Sequence, residues 1–254
     1  MSLSPARVAL VGAGGRMGAE IARLIAESSD LILALRVDPQ APTGSEGWAA
    51  DLSSGRPGEI DGLIDFSSPA GFRMAIEAAG RLECSLVSGT TGVDEAGRQQ
   101  LRTASLRVPV CWAPNFSIGA PILSRLIGDL AVRLPAGWQA EFVEVHHAQK
   151  RDAPSGTALR WIAAWRETRS GRLVFGREGA TGPRDQEEIG VHAVRLGDVV
   201  GEHRAILGGT GETIEIVHRV QARTAFAAGC IEALRRLRTR GPGLHGWEDL
   251  LCGD

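Results

Sequence analysis

A chain of 254 residues with 43% hydrophobic content has enough apolar material for one large domain or two modest ones around real cores. Its formal net charge of −2 gives no general pull toward nucleic acid or a membrane surface. No apolar run approaches the roughly 20 residues of a membrane span, and the N-terminus lacks a signal-peptide pattern. The four cysteines (Cys84, Cys111, Cys230 and Cys252) show neither C-x-x-C nor zinc spacing, so a cytoplasmic protein is expected. Tyrosine is absent, which excludes a phenolic acid from any mechanism.

Residues 7–11 (Arg-Val-Ala-Leu-Val) read as a short apolar strand running into Gly12-Ala13-Gly14-Gly15-Arg16-Met17-Gly18, with a helical pattern directly after. This is G-x-G-x-x-G between a strand and a helix, where glycines allow close approach of backbone to a pyrophosphate seated on the helix N-terminus. A second strand, Leu31–Val37, ends at Asp38, 20 residues past Gly18, the place for an acid that holds ribose hydroxyls. A carboxylate there favours NADH by repelling a 2′-phosphate, while nearby Arg36 leaves NADPH open.

Residues 39–60 are rich in Gly, Pro and Ser and read as a loop with a short helical piece. Strand 62–66, helix 71–80, strand 84–88, helix 94–103 and strand 108–112 then alternate, which argues a doubly wound parallel sheet. Ligands bind where such strands end, so Gly89-Thr90-Thr91 and Ala113-Pro114-Asn115-Phe116 are candidates to line the nicotinamide.

An apolar helix, Ile118–Gly128, leads to Glu144-Val145-His146-His147-Ala148-Gln149-Lys150-Arg151-Asp152-Ala153-Pro154-Ser155-Gly156-Thr157-Ala158. Of the chain's 28 Lys+Arg, Lys150 is the one lysine. Arginine stays charged at any working pH, whereas a lysine ammonium can hand over a proton. Ala140–Val145 alternates like a strand; if that strand continues, His146 and His147 face opposite sides and hold different jobs rather than chelating one metal. Ser155 reads as the N-cap of a helix whose first N–H groups suit a carboxylate. Strands follow at 172–175, 189–195, 202–207 and 212–220; the last three alternate, which suggests an open sheet with a face for oligomer contact to cover. His192, His203 and His218 within them read as structural. A last helix, Thr224–Arg238, is suited to close the first sheet. The fold expected is α/β: an N-terminal Rossmann-type parallel sheet (1–117 and 224–254) plus a second α+β domain with an open mixed sheet (118–223).

The Gly12–Gly18 loop, the Gly89-Thr90-Thr91-Gly92 and Ala113-Pro114-Asn115-Phe116-Ser117 loops and the Glu144–Ala158 run together resemble the dihydrodipicolinate reductase family over nearly the whole length. The resemblance implies NAD(P)H-dependent reduction of 4-hydroxy-tetrahydrodipicolinate in lysine and diaminopimelate biosynthesis. By position it implies His146 as acid/base residue and Lys150 as proton donor. His147, Gly156 and Thr157 would hold substrate carboxylates, with Arg223 at the edge of that site, and the assembly would be a homotetramer joined through the second sheet. Two departures stand out: Pro39 where the family often has Arg after the acid, and a short segment between Thr157 and Arg177. The alternatives are another nicotinamide-dependent reductase of an imino or keto acid and a non-catalytic dinucleotide sensor; no metal site is expected.

Overall fold

The computed structural model describes residues 4–41, 44–53 and 56–253. The chain divides into two compact units, Met1–Ile118 with Arg223–Asp254, and Gly119–Ala222.

In the first unit the strands are β1 (Ala6–Val11), β2 (Leu31–Val37), β3 (Trp48–Ala49), β4 (Gly62–Asp65), β5 (Ser85–Ser88), β6 (Pro109–Trp112) and, late in the chain, β12 (Gly243–His245). They form one parallel seven-stranded sheet in the order β12-β6-β5-β4-β1-β2-β3. Both faces are covered, which is why its inner strands read as continuous apolar runs. Along β1, Ala6, Val8 and Leu10 pack with α1 (Arg16–Ala26) and α6 (Thr224–Leu237), while Ala9 and Val11 pack with α2 (Pro69–Leu82). The late helix α6 thus closes one face of this sheet, and α3 (Glu95–Ser105) lies beside α2 on the other.

Helix α2 starts within the Ser67-Ser68-Pro69-Ala70 run that leads into it. Ser68 is its N-cap, accepting a hydrogen bond from the Gly71 amide at 3.3 Å, and Pro69 opens the first turn, where a missing N–H costs nothing. The 39–60 segment holds the short edge strand β3, and no helix occurs among its described residues. Arg36 and Trp48, neighbours across β2 and β3, are in cation–π contact at 6.0 Å.

The second unit has a five-stranded mixed sheet, from β7 (Gln139–His146), β8 (Arg172–Phe175), β9 (Glu188–Arg195), β10 (Gly201–Gly209) and β11 (Glu212–Val220), in the order β11-β10-β7-β9-β8. The β7/β9 and β9/β8 pairs are parallel; β10 runs antiparallel to both its neighbours. One face is covered by α4 (Gly119–Arg133) and α5 (Gly156–Arg166), with Phe142, Ala205, Leu207, Trp161 and Trp165 in the core.

Trp161 is 1% exposed and donates its Nε1–H to the Ala120 carbonyl at 3.0 Å, tying α5 to the start of α4. Trp161→Ala is expected to destabilise this unit by about 3–5 kcal/mol, from lost burial plus the cavity left behind. Urea unfolding followed by a probe in this unit checks it; a loss under about 1 kcal/mol would mean that the neighbours close the gap.

Candidate active site

In the first unit the glycine loop is shaped for close backbone approach. Gly12 has φ +80°, and a Cβ there would lie 2.3 Å from the Phe66 carbonyl oxygen. A Cβ on Gly18 would lie 2.2 Å from the Gly12 carbonyl oxygen, so only glycine lets α1 start this near β1. The N-cap of α1 is Gly15, which makes no side-chain cap, so the N-cap residue does not compete with a ligand for the first turn. The Asp38 carboxylate accepts from the amides of Gly14 and Gln40, both at 3.0 Å. It is therefore anchored against the loop, with Gly14, Gly15 and Arg16 exposed alongside.

The neighbouring strand ends are tied by a buried carboxylate. Asp65, at the end of β4, accepts from the hydroxyls of Ser67 and, at 2.6 Å, Ser88. Burial raises its pKa despite those bonds. The Thr90 hydroxyl accepts from the Ser67 amide at 2.9 Å, and the Thr90 carbonyl accepts from the Trp112 indole at 2.9 Å. Gly89 is packed under Phe66, whose ring would meet a Cβ at 2.2 Å. Phe66 contacts Phe116, which in turn contacts Trp247, and the Asn115 side chain accepts from the Ser117 amide at 2.7 Å. Thr91 and Pro114 are exposed beside these fixed points, and Ala113 is buried.

In the second unit the chemistry gathers at the C-terminal end of β7. Alternation puts Ala140, Phe142, Glu144 and His146 on the inward face, so the apolar core gives way to a carboxylate and an imidazole two residues apart. His146 Nδ1 lies 2.5 Å from Glu144 Oε2. Arg195, opposite His146 in the parallel β7/β9 register, donates to both oxygens of Glu144 at 2.8 and 2.9 Å. The Ser155 amide adds a further bond to Glu144 at 3.1 Å.

Burial by itself would raise the Glu144 pKa, but Arg195 and His146 outweigh it and hold the carboxyl below its ordinary value. For His146, burial wins over the Glu144 attraction and lowers the pKa. A Cβ on Gly201 would lie 3.1 Å from His146 Nε2, so the absence of a side chain there leaves room at that nitrogen.

Strand β7 ends at His146, so the alternation argument does not extend to His147, which is half-buried in the turn that follows. Its carbonyl accepts from the Lys150 amide at 3.1 Å. Lys150 Nζ, half-buried, pairs with Asp152 at 2.8 Å. Ser155 caps α5, its hydroxyl accepting from the Ala158 amide at 3.2 Å, and Gly156 and Thr157 are the first helical residues. His146, His147, Lys150, Gly156 and Thr157 thus belong to one strand–turn–helix segment. Arg223 falls in the other unit, exposed at the N-cap of α6.

Three neighbours of the site have no role assigned from the sequence. Glu144 opens the Glu144–Ala158 run without a stated role, and Arg195 carries no motif of its own. His203, read as structural, lies 5.0 Å from His146 between ring centroids, and its Nε2 shares a 2.9 Å hydrogen bond with Ser155 Oγ. Burial pushes its pKa down to about 3, so it is a neutral neighbour at any working pH. The available signal was the two-residue periodicity of β10, which puts Gly201, His203 and Ala205 on the inward face.

Among the described residues, no group of His, Cys, Asp and Glu is arranged to hold a metal ion, and no helix is long and apolar enough to cross a membrane. The four cysteines form no disulfide.

The sequence profile of the N-terminal part of dihydrodipicolinate reductase matches residues 6–116, and that of the C-terminal part matches residues 119–251. The chain belongs to the dihydrodipicolinate reductase family. Relatives named 4-hydroxy-tetrahydrodipicolinate reductase include those of Thermomicrobium roseum, 42% identical over 96% of this chain and 99% of the relative, and of Nitrosomonas europaea, 38% identical over 98% and 99%. Among solved structures, the dipicolinate-bound dihydrodipicolinate reductase of Paenisporosarcina sp. TG-14 is similar with a TM-score of 0.78, at 25% identity over 96% of this chain and 99% of that one. An engineered D-amino acid dehydrogenase bound to NADP+ shares the fold at a TM-score of 0.58 and 18% identity, covering 99% of this chain and 97% of that one. The fold shared with the Paenisporosarcina reductase covers both units of this chain, a Rossmann-type parallel sheet and a mixed sheet with helices on one face.

Proposed function

We propose that this chain reduces 4-hydroxy-tetrahydrodipicolinate to tetrahydrodipicolinate, with loss of water, in lysine and diaminopimelate biosynthesis, using a nicotinamide dinucleotide. The observation that carries this reading is the meeting, at one end of β7, of a buried imidazole, the chain's one lysine and a helix start, in a chain that matches relatives named for this reaction over nearly its whole length.

The glycine loop, the uncapped start of α1 and the anchored Asp38 fit the pyrophosphate and adenosine ribose of a dinucleotide, and Gly89, Thr90, Thr91 and Ala113–Phe116 are assigned to the nicotinamide side. Bound there, the cofactor would supply the hydride. The protein's own share is binding and proton movement. The α5 start at Gly156 and Thr157, with His147, holds ring carboxylates, and Arg223 serves the edge of the site. Loss of the hydroxyl with a ring proton gives a ring conjugated to C=N. Addition of hydride to that system moves an electron pair to the ring nitrogen, an anionic enamine. A proton delivered to the enamine carbon restores the imine. Lys150 is assigned as the donor of that proton and His146 as the acid/base residue.

NADH is slightly favoured, because an acid at the end of this strand, here Asp38, is expected to hold ribose hydroxyls and repel a 2′-phosphate, and Pro39 offers no cation, although Arg36 lies near. Asp38→Ala is expected to raise the KM for NADH by about 10- to 100-fold, the loss of charge-assisted hydrogen bonds, with a much smaller change for NADPH. Steady-state kinetics with both nucleotides checks this; equal losses for the two would remove Asp38 as the discriminating residue. Assembly as a homotetramer through the five-stranded sheet belongs to the same reading. Val143, Val145 and Val194 point away from the face that α4 and α5 cover, and Val194 is 41% exposed. A native mass of a single chain would count against that assembly.

The test of function is oxidation of NADH and NADPH with freshly generated 4-hydroxy-tetrahydrodipicolinate beside a panel of imino and keto acids. Turnover is expected with the hydroxy acid. Turnover confined to another acid would favour a dehydrogenase of that acid, and tight nucleotide binding without any turnover would favour a sensor.

A further inference from the structure

We propose that Glu144 and Arg195 act as a positioning pair that fixes the ring of His146 with Nε2 as its working atom and, through the Asp152 carbonyl, holds the loop that carries Lys150. This rests on the reading of His146 and Lys150 as the proton-transfer residues.

Glu144 is costly where it sits. At 1% exposure, a carboxylate inside an apolar face is tolerated only when its oxygens are fully bonded. Here both oxygens are taken by Arg195, with the Ser155 amide and the His146 ring completing the set. A carboxylate only accepts, so the shared proton at 2.5 Å sits on Nδ1 of His146. That assigns the tautomer: Nδ1 carries hydrogen toward Glu144, and Nε2 is the atom left to exchange a proton with substrate. Gly201 is the matching piece on β10, since a Cβ there would come within 3.1 Å of Nε2.

Arg195 reaches further than Glu144. The guanidinium nitrogen that bonds Glu144 Oε1 also donates to the Asp152 carbonyl at 2.6 Å, and the Asp152 carboxylate holds Lys150 Nζ at 2.8 Å. One guanidinium from β9 therefore braces the buried imidazole and the turn bearing the ammonium together. A fork of fixed geometry suits this task, and a lysine could not span both acceptors in the same way. A purely structural ion pair would not need both to bond the imidazole and to reach, through Asp152, the turn that holds the ammonium.

The charges facing His146 are Glu144 on its own strand, Lys150 from the following turn and Arg195 from β9; the neutral ring of His203 from β10 also faces it, with His218 of β11 stacked behind. Glu144 raises the affinity of His146 for a proton, whereas Arg195 and Lys150 lower it. The two members of the pair thus push in opposite directions, which gives a test that loss of packing cannot imitate.

In Glu144→Gln the carboxylate charge is gone and Arg195 remains, so the limb of the kcat–pH profile governed by His146 moves to lower pH. In Arg195→Met the carboxylate remains without its cation, and the same limb moves to higher pH. In both, kcat falls by about 10- to 10,000-fold, the range seen when the group behind a working imidazole is removed, while NADH binding is unchanged. Profiles that stay in place, or that move in the same direction in both variants, would overturn the proposal. Nitrogen-15 NMR of histidine-labelled wild-type protein provides a reading that needs neither variant to fold. His146 is expected as the Nδ1-protonated tautomer, and the Nε2-protonated tautomer as the dominant neutral form would overturn the pair's role. Absence of turnover by the wild type on 4-hydroxy-tetrahydrodipicolinate would instead sink the functional reading and leave the tautomer result standing.

Discussion

Lys150→Arg is expected to lower kcat by about 100- to 10,000-fold, the contribution of a positioned general acid, with nucleotide affinity and fold intact. Arginine keeps the positive charge and can still pair with Asp152, so attraction of a dianionic substrate survives and KM should change little. What disappears is a group that can give up its proton, because a guanidinium stays charged at any working pH. The contrast between kcat and KM is therefore the signature, and Lys150→Met, which loses charge as well, should raise KM in addition. The bland alternative, a lysine left by chance at a surface position, predicts no effect. Lys150 is only half-buried, but its partner Asp152 is bonded through its carbonyl to Arg195, which also grips the carboxylate behind His146. A wild-type rate in Lys150→Arg would remove Lys150 from proton transfer.

His146→Gln is the second large effect, with kcat expected to drop by about 100-fold or more and KM to stay within a few-fold. The substitution is chosen to spare the fold. The glutamine amide can still donate to Glu144, whose bonds to Arg195 and Ser155 remain, so no buried charge is stranded. Circular dichroism and thermal melting should match the wild type closely. A change confined to KM would reassign His146 to substrate binding.

These residues also show what could be read from the chain alone. Strands β2, β8 and β11 were legible to the residue, because each is an apolar or alternating run between clear turn residues. The glycine loop, Asp38 and the Ser155 cap were legible because their chemistry is local: a turn, a strand end and a helix start. Short elements were not. Strand β12 has three residues and α7 (Trp247–Cys252) has six, too few for any periodicity to emerge. The support of His146 was hidden for a different reason. Alternation along β7 shows that Glu144 and His146 share a face, but Arg195 is 51 positions beyond Glu144 and meets it only because β9 runs parallel to β7. Nothing in the alternating pattern of a strand states which neighbour it will pair with or in which direction. The place of His203 beside the site was hidden likewise. A histidine inside a strand reads as filler until cross-strand register puts it opposite Glu144 and a hydrogen bond joins it to Ser155.

The central claim is reduction of a cyclic diacid by hydride transfer, and isotope transfer addresses it most directly. The wild-type protein is supplied with NADH carrying deuterium at both C4 positions of the nicotinamide and with freshly generated 4-hydroxy-tetrahydrodipicolinate, and the product is analysed by mass spectrometry. Tetrahydrodipicolinate bearing one deuterium on a ring carbon is the expected result. Unlabelled product, or no consumption of NADH or NADPH with this acid, would contradict the account.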